Sequence, residues 1–181
     1  RNGVRNFVIS HETDYSAYPD ANFLRVKDTL GALQQLAAFH RSQFQIPVIG
    51  ITGSNGKTIV KEWLYQLLQP EHNIVRSPRS YNSQIGVPLS LWLMNEKHTL
   101  AIVEAGISRP GEMERLEQMI RPTIGVFTNI GDAHSEGFSS REAKEKEKRI
   151  LFREATEVPA LRVQSVTRNL QSCLIRAADP K

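Results

Sequence analysis

From residue 47 onward, short apolar runs alternate with longer stretches in which apolar residues recur at helical spacing. PVIGIT (47–52), NIVR (73–76), TLAIVEA (99–105) and TIGVFTN (123–129) read as strands. Between and after them helices are predicted at about 57–68, 87–94, 111–120 and 140–153, with Pro88 and Pro110 near helix starts, where a missing N–H costs little. Strand and helix in alternation predict an α/β fold, a parallel sheet with helices on both faces. Upstream, Val4 to Ile9 reads as a strand and HETDYSAYPDAN as turn-rich chain. A helix then follows from about Asp28 to Phe44, with Leu30, Leu33, Leu36, Ala37 and Phe39 near helical spacing and Asp28 as its N-cap. Beyond Phe152 the pattern weakens, and LRVQSVTRNLQSCLIRA suggests no more than a strand and a short helix.

Composition narrows the class. The 181 residues make room for one ordinary domain and a fragment of another, and 40% hydrophobic with 23% charged residues is globular. No apolar run reaches the roughly 18 residues of a membrane span. The first residues, RNGVRNFVIS, lack the features of a signal peptide, so the cytoplasm is the expected compartment and no membrane is expected as partner. The lone Cys173 excludes an internal disulfide and a Cys-rich zinc site. The net charge of +4 raises the question of nucleic acid, but the densest run, REAKEKEKR (141–149), alternates in sign, as a solvated helix face does. No nucleic-acid partner is expected. With Arg1 first and a strand beginning at Val4, the chain reads as a piece of something longer.

The strongest chemical signal is GITGSNGKT, Gly50 to Thr58, between an apolar strand and an amphipathic helix. That is the setting of a phosphate-binding loop: glycines turn backbone N–H groups toward a triphosphate and the helix N-terminus adds positive charge. Gly53, Ser54, Asn55 and Gly56 would form the cradle, Lys57 would reach the β and γ phosphates, and the Thr58 hydroxyl would ligate Mg²⁺. The glycines at 50, 53 and 56 depart from the commonest spacing of such loops. Glu104 ends the strand LAIVE, at the edge where α/β sheets place ligands. Asp132 and His134 follow the strand ending at Asn129, and the next helix carries Lys144, Lys146 and Lys148. A polar stretch, Tyr81, Asn82, Ser83 and Gln84, leads into the helix at Pro88.

In this order TGSNGKT (52–58), YNSQIGVPLSL (81–91), EAGISRPGEM (104–113) and TNIGDAHSEGF (128–138) resemble the Mur ligase family, ATP-dependent enzymes of bacterial cell-wall precursor synthesis. The resemblance covers residues 4 to 152. It implies residues 1–45 as the end of an N-terminal UDP-sugar-binding domain, 46–155 as the first part of a P-loop NTPase-like central ATP-binding domain, and an unassigned tail at 156–181. A C-terminal ligase domain would lie outside the chain, with an alanine racemase fused to the enzyme in some bacteria. The phrases IGVPLSL, PGEM and AHSEGF point to the member acting on UDP-MurNAc-tripeptide and D-Ala-D-Ala, through an acyl phosphate. The alternatives are a folylpolyglutamate synthase-like ligase and a nucleotide-binding fragment without ligase activity.

Carried over by position, the resemblance implies ATP and Mg²⁺ as cofactors. Lys57 would contact the phosphates and Thr58 with Glu104 would hold a first Mg²⁺. His134 would hold a second, together with a carbamylated lysine at Lys148 or, as runner-up, Lys146. Asn82 would contact substrate, as would Ser83, which stands where the family often has a second asparagine.

Overall fold

A computed structural model describes residues 3–131, 137–153, 155 and 157–162. Among the described residues there are two sheets, both parallel. The smaller pairs β1 (Asn6–Ile9) with β2 (Asn22–Arg25). The larger has five strands in the order β4-β5-β3-β6-β7: Ile74–Arg76, Leu100–Glu104, Val48–Thr52, Ile124–Phe127 and Glu157–Arg162. Strand β2 falls in chain that the periodicity leaves without an element. Strand β7 lies in the stretch left unassigned at 156–181 and pairs with β6, so the large sheet continues past residue 155.

Alternation along the central strands sets two faces. Ile49 and Ile51 of β3 join Leu100 and Ile102 of β5 on the face covered by α2 (Lys57–Leu68), through Val60, Leu64 and Leu68. Val48, Ala101 and Val103 point the other way, toward α1 (Thr29–Ser42), α3 (Gly86–Leu91) and α4 (Glu112–Ile120). Helix α1, counted with residues 1–45 by its position in the sequence, buries Ala37 completely in this second core and packs on α3 and α4. Arg41 fastens it. The buried guanidinium donates to the carbonyls of Ile120 (3.0 Å) and Arg121 (3.3 Å) at the end of α4 and of Phe44 (2.7 Å) just past α1 itself, which takes up backbone acceptors at two helix ends.

Helix α5 (Arg141–Arg149) starts on a Ser140 cap and runs into a 3-10 turn, Ile150–Phe152, where the pattern suggests one helix to 153. This turn lies flat on the sheet because Gly50 and Gly125, partners across β3 and β6, have no side chains there. A Cβ at Gly125 would stand 2.9 Å from Phe152 Cγ, whereas one at Gly50 would meet Pro122 Cβ at 2.8 Å and only touch Leu151 Cδ2, at 3.5 Å. Glu147 adds a second tie, accepting the N–H groups of Gly111 (2.7 Å) and Met113 (3.2 Å) at the start of α4, which has no cap of its own.

Candidate active site

The first strand of the large sheet, β3, lies at its centre, and successive crossovers leave it in opposite directions. Such a switch point opens a crevice at the C-terminal ends of the strands. The loops after β3, β5 and β6 meet there.

The loop after β3 is built on two glycines in conformations other residues avoid, Gly53 at φ 144° and Gly56 at φ 80°, the latter opening α2. The segment after β6 holds it in shape. Ser54 N–H donates to the Asn129 carbonyl (2.9 Å), Asn55 N–H to the Asn129 side chain (3.0 Å), and the Thr128 hydroxyl to the Asn55 carbonyl (2.6 Å). Lys57 folds over the loop and donates to the carbonyls of Gly53 (2.8 Å) and Ser54 (3.2 Å).

Lys148 reaches the same place from α5. Its side chain is buried and its ammonium donates to Gly53 O at 3.2 Å. Lys144, one turn earlier on the same face, is also buried and donates to Gly131 O (2.7 Å). Lys146 is exposed on the opposite face, so of the two candidates for the modified lysine only Lys148 stands at the loop. Burial, together with the charges of Lys57 and Lys144, brings the Lys148 ammonium down to about 7. Burial also lowers Lys57, with Glu104 opposing and Lys144 reinforcing the shift. Three ammonium groups around one loop make a site for a polyanion.

Glu104 is fully buried at the end of β5. Alternation places it on the α2 face, in register with Ile51. Its Oε2 accepts from the Thr58 hydroxyl (3.1 Å) and the Asn82 amide (3.4 Å), while Oε1 faces the Lys61 ammonium at 3.0 Å. Thr58 also lies 3.3 Å from Ser80 Oγ. The polar loop thus splits in two: Asn82 turns to Glu104, whereas Ser83 is exposed and its hydroxyl accepts Gly86 N–H (3.1 Å) at the start of α3. Asp132 and His134 lie outside the described residues. Lys61 gives no signal in sequence, because a lysine inside an amphipathic helix normally faces water.

The family model of the Mur ligase middle domain matches residues 51–168. The chain belongs to the Mur ligase family. Its match runs past residue 155, as the sheet does. The UDP-N-acetylmuramoyl-tripeptide--D-alanyl-D-alanine ligase of Treponema pallidum is 40% identical over 135 residues, covering 74% of this chain and 29% of that protein. The ligase of the same name from Borreliella burgdorferi is 35% identical over 162 residues, 86% of this chain and 35% of that protein. The chain therefore spans about a third of the length of these Mur ligases. Among solved structures, MurF from Acinetobacter baumannii superposes with a TM-score of 0.76 at 31% identity, over 82% of this chain and 32% of that one. MurF ligase from Thermotoga maritima in complex with ADP gives 0.73 at 27% identity, over 86% and 42%.

Proposed function

We propose that this chain carries the nucleotide-binding part of an ATP-dependent ligase that adds D-alanyl-D-alanine to UDP-MurNAc-tripeptide in the cytoplasm, in peptidoglycan precursor synthesis. The observation that carries the reading is the convergence of Lys57, Thr58, Glu104 and Lys148 on the loop after β3, in a chain of the Mur ligase family. The names of the relatives supply the substrates, and the ADP complex of one structural neighbour supports ATP.

In this reading the terminal carboxylate of the tripeptide attacks the γ-phosphorus of ATP, releasing ADP. The amine of D-Ala-D-Ala then attacks the acyl phosphate carbon, releasing phosphate and leaving an amide. The protein's part is to position and neutralise charge. The loop N–H groups orient the triphosphate, and Lys57 exchanges loop carbonyls for phosphate oxygens. Thr58 Oγ1 and Glu104 Oε2, 3.1 Å apart, are the hard oxygen donors that Mg²⁺ takes. A second Mg²⁺ would be held by His134 and by Lys148 as its carbamate, whose formation needs the neutral amine. When bound, these ions spread the charge of the transferring phosphoryl group. Asn82 bridges this centre to the substrate loop, and exposed Ser83, whose oxygen accepts Gly86 N–H, keeps its hydroxyl proton to offer the peptide.

The domain division follows the packing. Residues 1–28, with β1 and β2, form the end of the UDP-sugar unit, and α1 belongs with the central ATPase unit whose core it shares. The C-terminal ligase domain, and in the fused type an alanine racemase, complete the longer protein.

Calorimetric titration of the chain with Mg·ATP, with Lys57→Ala as control, tests the nucleotide site: binding is expected in the first and about tenfold or more weaker in the second, the scale of a lost hydrogen bond to a charged group. Equal binding in both removes Lys57 from the site. Phosphate release and amide formation in the longer protein, with tripeptide precursor or a folate as acceptor, decide the substrate. Nucleotide binding without either product identifies a site that does not ligate.

A further inference from the structure

We infer that Lys61 is a positioning residue for the nucleotide site, aiming Glu104 at Thr58 and clamping the segment that carries Ser80 and Asn82. Its effect on metal binding rests on the nucleotide reading above; the clamp does not.

Lys61 follows Lys57 by one helical turn and is wholly buried in α2. Its ammonium donates to the carbonyls of Ser77 (2.8 Å) and Arg79, and lies 3.0 Å from Glu104 Oε1 and 3.2 Å from Glu62 Oε1. The ammonium thus hydrogen-bonds one segment twice, at Ser77 and Arg79, and pairs by charge with Glu104 on β5. A carboxylate rotates readily about its last torsion, so its two oxygens are equivalent unless something tells them apart. Here the Lys61 charge faces Oε1, which accepts no hydrogen bond among the described residues, and Oε2 accepts from Thr58 and Asn82. The Ser77 hydroxyl, which accepts Glu104 N–H at 3.1 Å, belongs to the clamped segment as well.

The clamp acts on strained backbone. Arg79 has φ 49°, a left-handed conformation unusual for a residue with a side chain. Such conformations persist where surrounding contacts hold them. The Lys61 contact to the Arg79 carbonyl does so immediately before Ser80, whose hydroxyl meets Thr58. A methionine would fill the same space without a charge to desolvate, so what the ammonium adds is direction rather than packing.

The test uses Lys61→Met and Glu104→Gln, singly and combined, in the 181-residue chain. The combined variant leaves no lone buried charge and serves if Lys61→Met does not fold. The first readout is the gain in ATP affinity on adding Mg²⁺. Lys61→Met and Glu104→Gln are each expected to cut it by about tenfold or more, the usual effect of losing a partner that orients a metal ligand. The combined variant should match Glu104→Gln, because Lys61 acts through Glu104. The second readout is tryptic cleavage at Arg79–Ser80, expected to be about tenfold faster in the combined variant than in Glu104→Gln as the segment opens locally.

A folded Lys61→Met with the unmodified gain overturns the proposal, as does a combined variant about tenfold worse than Glu104→Gln, or unchanged cleavage at Arg79. If the unmodified chain shows no Mg²⁺-dependent ATP binding, the nucleotide reading fails. The cleavage rate then decides the clamp by itself, faster supporting it and unchanged overturning it.

Discussion

The Lys148 ammonium donates to the carbonyl of Gly53 at 3.2 Å, joining the loop after β3 to a helix 95 residues further along the chain. The contact is set from below. Phe152 seats on the side-chain-free position Gly125, beside buried Leu151, and Glu147 holds the start of α4, which together orient α5. Lys144 and Lys148 then face inward and Lys146 faces water.

That placement predicts which lysine reacts with CO₂. With its ammonium at about 7, Lys148 has neutral amine available near neutral pH, whereas an exposed lysine has almost none. NMR of the chain in ¹³C-bicarbonate is expected to show a carbamate carbon that Lys148→Met removes and Lys146→Met leaves. The opposite pattern assigns the modification to Lys146.

Lys148 also makes stability depend on pH. Its ammonium drops from 10.5 to about 7 on folding, so between these values the unfolded chain binds more protons than the folded one. Below about 7 the folded state carries the full cost of the buried charge; as pH rises through the window that cost is relieved. In CO₂-free buffer, the melting temperature of the unmodified chain should therefore gain on that of Lys148→Met from pH 6.5 to pH 9.5. A constant difference between the two would show that Lys148 stays charged at the loop.

Gly125→Ala tests the seat of the 3-10 turn. The added methyl would stand 2.9 Å from Phe152 Cγ, and overpacking of this kind costs about 1–3 kcal/mol. Urea unfolding should show that loss, and Gly125→Ala combined with Phe152→Leu should recover part of it. If the ring simply moves aside, the single variant will unfold at the same urea concentration as the parent.

Arg41→Met removes donors from the carbonyls of Ile120, Arg121 and Phe44. Leaving buried acceptors unpaired costs about 1–3 kcal/mol each, so a loss of at least ~2 kcal/mol is expected by denaturant titration. Arg41→Lys should rescue little, because one ammonium lacks the planar fork that reaches carbonyls on two segments. Full rescue by lysine would mean that charge alone matters here.

Much of this architecture is written locally. The apolar runs at 48–52, 100–104 and 124–127 and the helices α2 and α4 stand within a residue or two of where periodicity puts them, because a strand buried on both faces and an amphipathic helix each leave a distinct pattern, whereas α3 ends three residues early. Asp28 caps α1 as its position suggests. Val4 to Ile9 reads as the strand that β1 fills, whereas β2 was not legible, since it is mostly exposed and leaves no buried apolar run, and β7 fell in the stretch left unassigned.

The sequence by itself marked Gly50 to Thr58 as the candidate phosphate loop, because glycine, lysine and threonine at fixed spacing between a strand and a helix carry their signal within nine residues. It also determined that Glu104 ends a strand. Only the tertiary structure decided what surrounds them. It buried Lys148 rather than Lys146, turned Asn82 toward Glu104 and Ser83 away, and placed Lys61 against the carboxylate. These choices depend on which face of a helix meets the sheet, and that is settled by side-chain-free glycines and buried partners far away in the chain.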